Sequence, residues 1–188
     1  MCRRCGVEVE SAQRQCGCRA HLRSLSRLRS AVAYEGPIER AIHRFKYEGW
    51  RRLAGPLAHL LAERLVVEGV AAPWVLAVPL HPERLRERRF NQADLLAREL
   101  RRRLVLGKPP GELVRTRQTP PQVGHDRLWR LENMRGAFAW RGAGLSGRSL
   151  LVVDDVATTG ATLDACAAAL RASGSGPVIG VSVARVIV

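Results

Sequence analysis

The residues best suited to chemistry lie together in one run, Leu150-Leu151-Val152-Val153-Asp154-Asp155-Val156-Ala157-Thr158-Thr159-Gly160-Ala161-Thr162. Four apolar residues make a buried strand, an acidic pair ends it, small and hydroxylated residues turn the chain, and a helix is expected from about Ala161 to Arg171. A loop of this kind aims several backbone N–H groups and the positive end of a helix at one point, which suits a phosphate. Asp154 and Asp155 would repel a bare phosphate. They make sense when the ligand also carries hydroxyls that donate to carboxylates, or a divalent cation that the carboxylates attract. A sugar phosphate with free ring hydroxyls and bound magnesium meets both demands.

Two further groups carry chemical potential. Cys2-Arg3-Arg4-Cys5-Gly6 is a tight C-x-x-C-G turn, and Cys16-Gly17-Cys18 follows ten residues later. Four thiols so close together point to a tetrahedral structural zinc ion held by Cys2, Cys5, Cys16 and Cys18, with His21 near enough to replace one of them. A segment this short has no core of its own, so metal binding would have to supply its fold. The fifth cysteine, Cys166, falls in register with Leu163, Ala167 and Leu170 on a helix and is expected to be an inert core thiol. The second group follows the apolar stretch Trp74–Val78: Pro79-Leu80-His81-Pro82, then Arg84, Arg86, Arg88 and Arg89.

Elements that would position these groups are legible from periodicity. Residues 22–29 read as a basic connector and Ala31 to Tyr34 as a short strand. Pro37 opens a helix with Ile38, Ala41, Ile42 and Phe45 on one face, and a second helix turns Leu53, Leu57, Leu60, Leu61 and Leu65 inward. Trp74 to Val78 is continuously apolar, as in a parallel strand covered on both faces. Asn91 is expected to cap a helix carrying Ala93, Leu96, Ala97, Leu100 and Leu104; Glu112 to Arg117 and Val178 to Val186 read as strands. The alternation gives an α/β fold, a parallel sheet flanked by helices and preceded by a small N-terminal zinc-binding segment. The expected division is a zinc-finger-like segment at residues 1–30 and one domain at 31–188.

Composition narrows the function classes. The 188 residues hold 31 Lys or Arg against 17 Asp or Glu, a net charge of +14, and Lys46 and Lys108 are the only lysines. Such a field attracts phosphates and favours salt-dependent nucleic-acid binding. The longest apolar run, Val70 to Leu80, is interrupted by Pro73 and Pro79, and the N-terminus is polar, so no membrane span and a cytoplasmic location are expected. There is no G-x-x-x-x-G-K-[ST] phosphate loop.

The Leu150–Thr162 run resembles the phosphoribosyl diphosphate (PRPP) signature of type I phosphoribosyltransferases. The resemblance implies a type I phosphoribosyltransferase-like sheet in which Asp154 and Asp155 face the ribose hydroxyls and magnesium. Ala157, Thr158, Thr159, Gly160, Ala161 and Thr162 would hold the 5'-phosphate, and Leu80, His81 and Arg88 would lie in the loop that receives pyrophosphate. Arg88-Arg89-Phe90-Asn91-Gln92-Ala93, Gln118-Thr119-Pro120-Pro121-Gln122-Val123-Gly124, Arg130 to Phe138 and the cysteine segment together resemble the ComF family of competence-associated proteins. Two departures stand out: Arg89 where the family usually has Gly, and a second cysteine pair one residue short. The family resemblance implies a flexible hood at Gln118 to Asp126. It implies a PRPP-dependent, magnesium-dependent transferase with an unidentified acceptor, serving DNA uptake or nucleotide salvage. The alternative is a non-catalytic, PRPP-regulated factor that binds single-stranded DNA and other competence proteins. No residue is assigned as catalytic. A 6-oxopurine acceptor is not expected, because hypoxanthine-guanine relatives place an acid where this chain has Thr158, and threonine is no general base near neutral pH.

Overall fold

A computed structural model describes residues 2–7, 16, 18, 22–117, 134 and 136–186. Its organising element is β5 (Leu150–Ala157), the central apolar strand, flanked in a four-stranded sheet of order β1-β6-β5-β2. The partners are β1 (Arg27–Ala33), β2 (Trp74–Ala77) and β6 (Val178–Arg185), and every pairing is parallel. Register sets Leu151 of β5 against Val75 of β2 and Ile179 of β6.

Because successive strand residues point to opposite faces, β5 feeds two cores at once. Leu151 and Val153 pack with α1 (Gly36–Tyr47), α2 (Ala54–Val67) and α4 (Gln92–Leu104) through Ile42, Phe45, Leu57, Leu61, Leu96 and Leu100. Leu150 and Val152 pack on the other face with Leu163, Cys166 and Leu170 of α5 (Ala161–Ala172). Cys166 is fully buried there, as expected of a core thiol, and burial pushes its pKa well up. The Asn91 cap is present: its Oδ1 accepts from the Ala93 N–H at 3.0 Å, while its Nδ2 donates to the Val78 carbonyl at 2.9 Å and ties α4 to the end of β2.

Three features differ from the sequence reading. Residues 22–29 are more than a basic connector: Leu22, Leu25 and Leu28 are at most 1% exposed, and the strand expected at Ala31 to Tyr34 is β1, which starts at Arg27. Intervening charged and polar residues hide a leucine every third position that faces the core beside Cys5 and Cys18. The arginine run after Pro82 is itself a helix, α3 (Pro82–Arg88), with His81 at its N-terminal cap. The strand expected at Glu112 to Arg117 is β3 (Gly111–Arg115), and it pairs antiparallel with β4 (Phe138–Gly142) in a separate two-stranded ribbon. Among the described residues, no helix is long and apolar enough to cross a membrane.

Candidate functional site

Parallel strands β5 and β2 end on the same side of the sheet, and a cavity of about 1140 Å³ opens there. Asp154, Asp155 and Ala157 to Thr162 line it from β5 and the turn into α5; Leu80 and His81 line it from the end of β2, and Arg88 from α3. All residues singled out for PRPP in the sequence are therefore brought to one cavity. The proposed hood, Gln118 to Asp126, falls outside the described residues, as does His21.

The turn is built around Gly160, whose φ of 82° is left-handed. A Cβ there would come within 2.9 Å of Leu22 Cδ2 and 3.0 Å of Leu28 Cδ2, both on buried side chains. Thr159 Oγ1 accepts from the Ala161 N–H at 3.2 Å, closing the first turn of the helix. One turn further on, Asp164 Oδ1 accepts from the N–H groups of Ser24 and Leu25, each at 2.9 Å, so α5 also anchors the segment after the cysteines.

Strand alternation separates the two acids. Asp155 is buried and meets Lys46 of α1, Nζ to Oδ1 at 2.8 Å. Asp154 accepts on Oδ1 from the Asp155 N–H at 2.9 Å. Burial, together with the Asp155 charge, pushes the Asp154 carboxyl up to about 7 against the pull of Lys46 and Arg115. For Lys46 burial works against the charge, but Asp155 outweighs it and the ammonium is held above its ordinary value. Arg115 reaches the same cavity from β3; burial and nearby Arg84 lower its pKa. Sequence reasoning missed Lys46, Tyr47, Gln92 and Arg115 as lining residues. Two of them left a signal: Lys46 as one of two lysines in an arginine-rich chain, and Gln92 as part of the Arg88–Ala93 motif.

The second site is the cysteine knot. The Sγ atoms of Cys2, Cys5, Cys16 and Cys18 lie within 4.8 Å of one another, with Cys2–Cys18 at 3.7 Å and Cys5–Cys16 at 3.3 Å. A zinc ion with Zn–S bonds of about 2.3 Å needs tetrahedral edges of about 3.8 Å, so the four sulfurs fit the ion with small adjustments. Burial would raise the Cys2 thiol, but the backbone N–H groups of Cys5 and Arg4 outweigh it and bring it down to about 6. Burial raises Cys5 and Cys18. Four thiolates together therefore need a cation. Arginines fasten the knot to the sheet: Arg29 donates to the carbonyls of Arg3 at 2.7 Å and Arg4 at 3.2 Å and pairs with Glu68, while Arg185 donates to the Cys5 carbonyl.

These features define a parallel α/β protein with a polar cavity at its strand ends and a four-cysteine knot docked on one face. No family model matches the chain. It is 30% identical over 184 residues to the DNA utilization protein YhgH of Escherichia coli strain K12, covering 95% of this chain and 81% of that protein. Competence protein F of Haemophilus influenzae is 30% identical over 181 residues, covering 92% of this chain and 79% of the relative. The chain belongs to the ComF family.

Proposed function

We propose that this chain binds PRPP with magnesium and, as a type I phosphoribosyltransferase-like protein, transfers the phosphoribosyl group to an acceptor in the service of DNA utilization. The observation that carries the proposal is the convergence of the acid pair, the Thr158–Thr162 turn and Arg84 and Arg88 of α3 on one cavity. In this reading the zinc-binding segment expected at residues 1–30 precedes the transferase-like domain expected at 31–188, whose first strand, β1, begins slightly earlier, at Arg27.

The reaction is displacement of pyrophosphate from the anomeric carbon of ribose by an acceptor nucleophile, through a transition state with positive charge on the sugar ring. The turn into α5 fixes the 5'-phosphate through backbone N–H groups and threonine hydroxyls. Asp154 and Asp155 accept from the ribose diol and put negative charge beside the developing cation. Arg88 and its neighbours oppose the charge that builds on the departing pyrophosphate. Magnesium, carried by the diphosphate and attracted by Asp154 and Asp155, would supply further charge neutralisation. Isothermal titration with PRPP and magnesium tests the binding half: the wild type binds, and Asp154→Ala/Asp155→Ala weakens binding at least about tenfold, the loss expected for charge-assisted hydrogen bonds. Equal binding by both proteins would overturn the reading.

A second reading has its own observation. Trp50 has the guanidinium groups of Arg44 and Arg52 each 4.8 Å from its ring centre, and Arg51 stands 4.8 Å over Phe90. Aromatic rings interleaved with arginines suit single-stranded DNA, whose bases stack while its phosphates pair. In this reading PRPP regulates a DNA-binding factor and no transfer occurs. Filter binding across a salt series tests it: affinity that falls steeply with salt and weakens in Trp50→Ala supports it, and weak, salt-independent binding contradicts it.

A further inference from the structure

We propose that Lys46 and Arg88 form the seat for the diphosphate end of the ligand, and that buried Gln92 is the positioning residue that holds these two cations side by side. This rests on the PRPP reading and adds to it a residue from α1.

Gln92 is polar yet only 1% exposed. A buried amide is costly unless its donor and acceptor are both used. Gln92 Nε2 donates to the Lys46 carbonyl at 3.3 Å, and Gln92 Oε1 accepts from Arg88 Nη1 at 3.4 Å. One buried side chain thus links the end of α1 to the end of α3 from behind. Tyr47 strengthens the link from the front: Arg88 lies 5.0 Å over its ring and donates from Nη2 to its hydroxyl at 3.3 Å.

The two cations line the cavity together with the acid pair. Lys46 has three N–H donors, and the Asp155 contact at 2.8 Å uses one. The remaining donors are available to a second anion, and a compact ammonium can touch a carboxylate and a phosphate oxygen together. Placement selects which phosphate. The turn at Thr158–Thr162 leads into α5, which packs on one face of the sheet, whereas α1 packs on the other face, on the side of Asp155. A pentose whose hydroxyls meet the acid pair and whose 5'-phosphate lies on that turn directs its anomeric substituent away from it. The diphosphate also carries most of the ligand's negative charge, and the carboxylates would repel it unless cations stood between.

The alternative role for Lys46 is only to neutralise Asp155. Titrations with PRPP, inorganic pyrophosphate and ribose 5-phosphate, each with magnesium, separate the two roles. Ribose 5-phosphate keeps the sugar and the 5'-phosphate but lacks the diphosphate. The expected result for Lys46→Met is a loss of about tenfold or more for PRPP and pyrophosphate, with ribose 5-phosphate changed by less than about twofold. Gln92→Leu should shift the same ratio in the same direction by less, and Lys46→Arg should recover part of it. Because the PRPP to ribose 5-phosphate ratio is read within one variant, a reduced folded fraction cancels. Equal losses for all ligands, or no loss, would overturn the role of Lys46 while leaving wild-type PRPP binding intact. A wild type that binds neither PRPP nor pyrophosphate would overturn this inference and the reading beneath it together.

Discussion

Asp154 and Asp155 are adjacent in sequence yet electrostatically different. Asp155 is buried against the half-buried Lys46, whereas Asp154 is pushed up to about 7 by burial and by its neighbour's charge. A carboxyl whose folded pKa is raised gives stability that is complete below its unfolded value and lost as pH rises through the folded one. In the absence of ligand and divalent cations, Asp154→Asn should therefore be more stable than the wild type at pH 8, by about 1 to 3 kcal/mol, with the gap closing towards pH 4. Urea denaturation at the two pH values measures this, and a destabilised variant at pH 8 would contradict it. Asp155→Asn should behave oppositely, losing about 1 to 2 kcal/mol at pH 8 because it takes the charged partner from the half-buried Lys46 ammonium. The acid pair was legible because both residues and the turn are contiguous. Lys46 was not, since nothing local says that the end of α1 reaches the end of β5.

At the scale of elements, the turn into α5 rests on the segment just after the cysteines. Gly160 sits over Leu22 and Leu28, and Asp164 holds the N–H groups of Ser24 and Leu25. Gly160→Ala must place a Cβ at positive φ against two buried leucines, so a loss of about 1 to 2 kcal/mol is expected. Weaker ribose 5-phosphate binding should accompany it; thermal melts and calorimetry on the same sample check both, and unchanged values in both would show the turn to be tolerant. Helices α1, α2, α4 and α5 were readable because their apolar spacing is regular, and β2, β5 and β6 because their runs are continuous; α3 was not, because it buries no residue and its arginines show no apolar face. The run at residues 22–28 was not, because its buried leucines are spaced among arginines and serines. Nor was β4, whose pairing with β3 is decided by a partner more than twenty residues away.

For the whole molecule, the cysteine cluster and the turn into α5 share one core: Cys5 and Cys18 cluster with Leu22, Leu25, Leu163 and Cys166. The spacing of the cysteines pointed to a group able to hold zinc, but not to its packing in the same core as the candidate binding turn. Stripping metal with a strong chelator should therefore lower the melting temperature and also weaken ribose 5-phosphate binding, with zinc restoring both. Loss of stability without any change in binding would show that the knot and the turn are independent.

In the function proposed above, the acid pair and the turn grip the two ends of one phosphorylated pentose. A crystal of this protein soaked with PRPP and magnesium tests it most directly. Density is expected for the 5'-phosphate against the N–H groups of residues 158–162, with the ribose hydroxyls on Asp154 and Asp155. Ligand density elsewhere on the molecule, or a cavity still empty at saturating PRPP, would contradict it.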